Sequence, residues 1–166
     1  MIVIVDYGIG NLASVLNMFK KIGATNVCIS KDYALIEKAT KLILPGVGAF
    51  DAGMDNLEKS GLIPLLNKKV IEDKIPLLGI CLGMQLLTKK SEEGVKLGLG
   101  WIDAETLKFN LDPSLKLKVP HMGWNYIKVK KQSAISKLES KQKFYFVHSY
   151  YVKCDNQEDV LATCDY

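Results

Sequence analysis

Apolar residues follow two rhythms along this chain, and the change between them divides it. In "MIVIVD" at 1–6 the run is nearly unbroken and rich in β-branched residues, the pattern of a strand covered on both faces. Over 11–22, Leu12, Val15, Leu16, Phe19 and Ile22 recur on one side of a helix that Gly23 ends. "NVCIS" predicts a second strand, and Asp32 caps a short helix through Lys38. "KLILPGVGAF" gives a third strand that ends at Pro45 in a glycine turn. Helices over 51–59 and 61–72 follow, with Pro64 tolerated in the first turn of the second, and "PLLGI" is the fourth strand. This βαβαβαβ order predicts an α/β fold with an open, mostly parallel sheet and helices on both faces. Ligands in such sheets gather at the carboxyl ends of the strands, where Asp6–Asn11, Pro45–Phe50 and Gly79–Gln85 all fall.

Beyond about residue 94 the helical period fades. Short strands are expected near 104–109, 125–130, 143–147, 150–153 and 159–163, as antiparallel or mixed additions to the same sheet. No polar linker separates the halves, so 1–166 is expected to form a single domain. Composition narrows the setting. The chain is 48% hydrophobic and 24% charged, with a formal charge of +4 spread over dispersed lysines, which reads as a solvated surface and not a nucleic-acid groove. No run reaches the roughly 20 apolar residues of a membrane span, and no basic n-region precedes the first apolar stretch. Cys28, Cys81, Cys154 and Cys164 form no CxxC or Cys–His grouping, so neither zinc, a disulfide framework nor any cofactor is expected, and a reducing cytosol is the natural setting.

One segment carries chemistry. "GICLG" at 79–83 places Cys81 between two glycines where a strand turns into a helix, the logic of a nucleophile elbow. A Cβ at Gly79 or Gly83 would crowd that crossing. A thiolate attacking a carbonyl needs donors for the developing oxyanion. The N–H of Leu82 is one candidate, and an N–H from Val47 or Gly48 in "PGVG" is another. The competing reading makes Cys81 a buried side chain and 45–48 an ordinary turn. A general base calls for histidine, of which the sequence has His121, in a loop-like segment, and His148, within or at the end of a strand. By position His148 is the better base, and a structural histidine is the alternative.

Six segments together closely resemble the glutaminase subunits of imidazole glycerol phosphate synthase, a branch of the class I (triad-type) glutamine amidotransferases. They are "DYGIGNL" at 6–12, "LPGVGAF" at 44–50, "GICLGMQLL" at 79–87, "GLGWI" at 98–102, "VPHMGWN" at 119–125 and "FYFVHSYYV" at 144–152. The resemblance implies hydrolysis of glutamine to glutamate and ammonia through a γ-glutamyl thioester on Cys81. It implies one oxyanion donor at Leu82 and another at Val47 or Gly48, the turn of Gly46, Val47 and Gly48 matching an oxyanion strand that rearranges before the hole is complete. Substrate contacts are implied at Gly46, Gln85, Ser149 and Tyr150. Asn11, Met122, Trp124 and Tyr145 fall where a (β/α)8-barrel cyclase partner would dock and receive the ammonia, on the way to imidazole glycerol phosphate in histidine biosynthesis. Asn11 as a helix cap, and the tyrosines as strand stabilisers, remain open alternatives.

Family members carry their catalytic histidine and glutamate in an "HPE" segment beyond the strand matched by 159–163. This chain has no such segment before Tyr166, and neither His121 nor His148 falls on the family's base position. The expectation is therefore a C-terminally incomplete amidotransferase domain, with apolar surface exposed and turnover far weaker than in a full-length member. Two other functions compete: a non-catalytic partner-binding remnant, and a glutaminase feeding a different biosynthetic synthase. A dinucleotide site is weaker, because Gly8 and Gly10 of "GIGNLA" are followed by no ribose-binding acid at the end of the second strand.

Overall fold

A computed structural model describes residues 1–131 and 142–166 of the chain. Strand β1 (Ile2–Val5) is followed by α1 (Leu12–Lys21), β2 (Val27–Ser30), α2 (Tyr33–Glu37), β3 (Lys41–Gly46), α3 (Phe50–Lys59), α4 (Ile63–Asn67) and β4 (Leu77–Cys81). The four strands form one parallel sheet in the order β2-β1-β3-β4. Val3, Ile4 and Val5 of β1 are wholly buried, as are Leu42 and Leu44 of β3, which explains their unbroken apolar runs. Right-handed crossovers that step one way from β1 and the other way from β2 and β3 put α1 on one face and α2, α3 and α4 on the other. Contact between α2 and α4 agrees with that placement.

The helices begin where local chemistry directs. Asn11 accepts from the Ser14 N–H at 3.3 Å and Asp32 from that of Leu35 at 2.9 Å, each filling an orphan donor of a first turn. In α3, Phe50, Gly53, Met54 and Leu57 recur at helical spacing and are buried together with Leu65, Leu66, Leu82 and Leu86. The helix expected over 61–72 is α only through Asn67 and then widens into a π-helical stretch over Lys68–Glu72. The α1 face is sparser. Leu12, Val15, Leu16 and Phe19 are only half-buried, and Ile22 and Met18 are exposed. An apolar groove of about 300 Å³ lies between Val15, Met18, Phe19 and Ile22 of α1 and Ile80 of β4.

The second half departs from expectation. Its strands do not extend the parallel sheet; they pair largely with one another. After α5 (Leu82–Gln85) come β5 (Lys90–Ser91), β6 (Ala104–Lys108), β7 (His121–Tyr126), β8 (Lys128–Val129), β9 (Lys143–His148), β10 (Tyr150–Cys154) and β11 (Ala162–Thr163). They make a β10-β6-β5 sheet, a β11-β8 pair and a β7-β9 ribbon. One face of each is covered at most, as in β6, where Ala104 and Thr106 are buried and Glu105 is not. The segment holding His121, expected as loop, is strand: all six β7 residues pair antiparallel with β9, His121 opposite His148 and Trp124 opposite Tyr145. Pairing overrides the weak strand propensity of His, Gly and Asn there. The strand expected over 125–130 is accordingly split, ending as β7 at Tyr126 and resuming as β8.

Candidate active site

β4 runs in parallel register with β3 to its last residue, so Cys81 lies beside Gly46 at the carboxyl rim of the sheet. There the chain reverses into α5, and Cys81 takes φ 55° and ψ −118°, a left-handed conformation that costs a non-glycine residue about 1–3 kcal/mol. Only tight surroundings hold such a bend. A Cβ on Gly83 would come within 1.8 Å of the Leu44 carbonyl oxygen, and one on Gly79 within 2.6 Å of Met84 Cα, so both crowding expectations hold. Leu82 and Leu86 anchor the helix side in the core, whereas Cys81 itself is exposed. The thiol is outside the aliphatic core.

Cys81 opens on a cavity of about 290 Å³ lined also by Gly48, Leu82, Gln85, Glu93, Pro120, Val147, His148, Ser149 and Tyr150. Of the residues nominated from sequence, the structure thus brings together Cys81, Leu82, Gly48, Gln85, Ser149 and Tyr150. Gly46 is buried behind this wall as the register partner of Cys81. Val47 has its side chain turned to solvent and stands outside the lining. Between the two oxyanion candidates of the turn, Gly48 is the one at the cavity. The Gln85 side-chain oxygen is buried with no hydrogen-bond partner among the described residues.

Glu93, Pro120 and Val147 join the lining without having been anticipated. Glu93 Oε2 accepts from the Phe50 N–H at 3.1 Å, placing a carboxylate at the start of α3. In sequence it reads as one acid of a charged "SEEG" run, and only its contact 43 residues away reveals the placement.

His148 reaches the cavity but not as a free base. Its Nδ1 faces the Tyr150 carbonyl oxygen at 2.8 Å, and its Nε2 faces His121 Nδ1 at 3.0 Å. A carbonyl only accepts, so His148 carries its proton on Nδ1, and its Nε2 lone pair receives the Nδ1–H of His121. His121 Nε2 in turn accepts from Asn125 Nδ2 at 3.5 Å. Both nitrogens of His148 are engaged, which removes the ground for its sequence-based nomination as base. His121 is buried between the rings of Tyr166 and Phe146, and burial, then the neighbouring His148, holds its pKa below the ordinary imidazole value.

The nominated docking residues divide by position. Met122, Trp124 and Tyr126 alternate onto one face of the β7-β9 ribbon with Tyr145 and with Val147, which also borders the cavity, and all five are exposed. Trp124 and Tyr145 meet edge to face at 5.7 Å. Asn11 is exposed at the start of α1 and spends its side chain on the cap. Among the described residues no helix is long and apolar enough to cross a membrane, and no group of three or more His, Cys, Asp or Glu could hold a metal ion.

Residues 3–165 match the family model for glutamine amidotransferase class-I. The chain is 57% identical to imidazole glycerol phosphate synthase subunit HisH 2 of Methanococcus maripaludis, over 100% of this chain and 81% of that protein. It is 49% identical to the subunit HisH 2 of Pseudomonas aeruginosa, over 100% and 81%, and 45% identical to the subunit HisH of Leptospira interrogans, over 100% and 82%. A crystal structure of a glutamine amidotransferase superposes with a TM-score of 0.69 at 17% identity, over 96% of this chain and 78% of that one, a likeness of fold.

Proposed function

This chain belongs to the class-I glutamine amidotransferases, and we propose that it is the glutaminase subunit of an imidazole glycerol phosphate synthase, acting in histidine biosynthesis. The observation that carries the reading is Cys81: exposed, bent to positive φ at the end of β4, and opening on a cavity with Gly48, Leu82, Gln85 and Glu93. In this reading Cys81 Sγ attacks the side-chain carbonyl carbon of glutamine. A C–S bond forms, negative charge gathers on the carbonyl oxygen, and the thiol proton passes through solvent to the departing amide nitrogen. Backbone N–H groups of Leu82 and Gly48 are the donors assigned to that oxygen. The C–N bond then breaks, ammonia departs with a proton, and water converts the γ-glutamyl thioester to glutamate.

Glu93 is the counter-charge for the substrate's ammonium, with Gln85 and the Ser149–Tyr150 backbone as its hydrogen-bonding partners. His148 holds that backbone through the Tyr150 carbonyl and is assigned no proton transfer. The exposed aromatic face around Trp124 and Tyr145 is the surface proposed for a (β/α)8-barrel cyclase partner that takes up the ammonia. A second reading, partner binding without turnover, is favoured by one observation, the engagement of both His148 nitrogens.

Mass spectrometry separates the two. Incubated with glutamine, a barrel partner and that partner's ligand, the chain should yield a glutamyl adduct on Cys81 that Cys81→Ser lacks. Stable complex formation with no adduct would leave only the binding reading.

A further inference from the structure

Tyr7, just beyond β1, is buried, and its phenol takes no part in the chemistry assigned above. Its hydroxyl donates to the Pro45 carbonyl oxygen at 2.8 Å. The sheet explains why that carbonyl needs a donor. The Leu42 N–H points to Pro76 on the β4 side, and backbone groups alternate along a strand, so those of Leu44 and Gly46 face β4 while those of Ile43 and Pro45 face β1. Pairing of β1 with β3 ends at Ile4 opposite Ile43, two residues short of Pro45. On the β4 side pairing continues to Gly46 opposite Cys81. The Pro45 carbonyl has therefore outrun its ladder, and the phenol stands in for the missing strand.

The hydroxyl also touches the turn. A Cβ on Gly46 would come within 2.6 Å of Tyr7 Oη and 2.8 Å of the Gly83 nitrogen, so phenol, turn and elbow are packed against one another. We propose that Tyr7 is a positioning residue for thioester formation: by holding the Pro45 carbonyl it fixes the Pro45–Gly46 peptide and aims the amide donor that follows at Gly48. It sets oxyanion stabilisation without touching substrate. The inference rests on the reading of Cys81 as the glutaminase nucleophile. Burial, and then the nearby charge of Cys81, push the Tyr7 pKa up to about 12, so the phenol remains a proton donor throughout the neutral range.

Two probes of the full chain test it. Iodoacetamide alkylates a thiol by displacement at a saturated carbon and builds no oxyanion, whereas an activated γ-ester of glutamate acylates it through one. Tyr7→Phe should slow acylation of Cys81 about tenfold, with little change in the ester's KM, and leave the alkylation rate unchanged. Incorporating 3-fluorotyrosine at position 7, which keeps the hydroxyl, should restore acylation. Acylation as fast as or faster than in the unsubstituted chain, or an equal loss with both probes, overturns the proposal while leaving the nucleophile in place. An unsubstituted chain that is alkylated at Cys81 but never acylated overturns the reading of the site, and this proposal with it.

Discussion

The wall of the cavity made by Gly48, Cys81, Leu82 and Gln85 and the wall made by Pro120, Val147, His148, Ser149 and Tyr150 are held by different means. The first is steric. Glycines meet backbone at distances that exclude a methyl group, and Leu82 and Leu86 lock α5 against α3 in the core. The second is polar and stacked, with two imidazoles joined to each other and to the Tyr150 carbonyl, on a ribbon whose outer face is open to solvent. Close packing fixes a position regardless of pH, while a hydrogen-bonded histidine pair fixes one only in a given protonation state. The nucleophile stands on the unconditional side.

The largest effect should come from breaking the steric wall. Gly83→Ala sets a Cβ against the Leu44 carbonyl, a backbone atom that cannot give way, and should cost at least about 3 kcal/mol in urea unfolding or remove the protein from the soluble fraction. Next, Leu57→Ala empties the fully buried side of α3 and should cost about 3 kcal/mol, whereas Trp124→Ala, on the exposed face of the ribbon, should stay within about 0.5 kcal/mol by the same measurement. Equal losses at the two positions would contradict the division.

The smallest effect is one of pH. The pKa of His121 is lowered in the folded chain, so the unfolded chain binds more protons between the two values. That contribution to stability is complete above the ordinary imidazole pKa of about 6.5 and is lost as pH falls from there toward the folded value. Corrected for intrinsic rates, hydrogen exchange between about pH 7.5 and about pH 5.5 should quicken in β7 and β9 more than in β1 and β3. In His121→Phe the difference should vanish. Tyr166, Phe146, Phe109 and Asn125 contact the pair; Glu93 borders the same cavity as His148, and Asn125 also donates to the Asp165 carbonyl.

What could be read from sequence follows the same division. "GICLG" was legible because the demand it answers is local: glycine is needed where strand and helix cross, and the spacing states it. The caps at Asn11 and Asp32 and the buried stripe of α3 are local in the same sense. Most of β7 was not legible, because its partner β9 begins 17 positions after β7 ends and His121, Gly123 and Asn125 break the strand pattern around Trp124. Nor was the pairing of His121 with His148, which exists only once that register is set. Glu93 and Tyr7 act through contacts 43 and 38 residues away, and nothing in their immediate neighbours announces either. Position along the chain alone favoured His148 as base; the family resemblance already set it aside, and the occupation of both its nitrogens was not foreseeable.

The backbone angle at Cys81 has one more consequence. Because the path of the main chain, and not a nest of neighbouring side chains, lifts this residue off the sheet, the mounting is indifferent to which heteroatom it carries. A hydroxyl or a selenol placed there would be offered to the same opening at the same tilt. Reactivity at this position can therefore be exchanged without asking the fold to be rebuilt around the replacement.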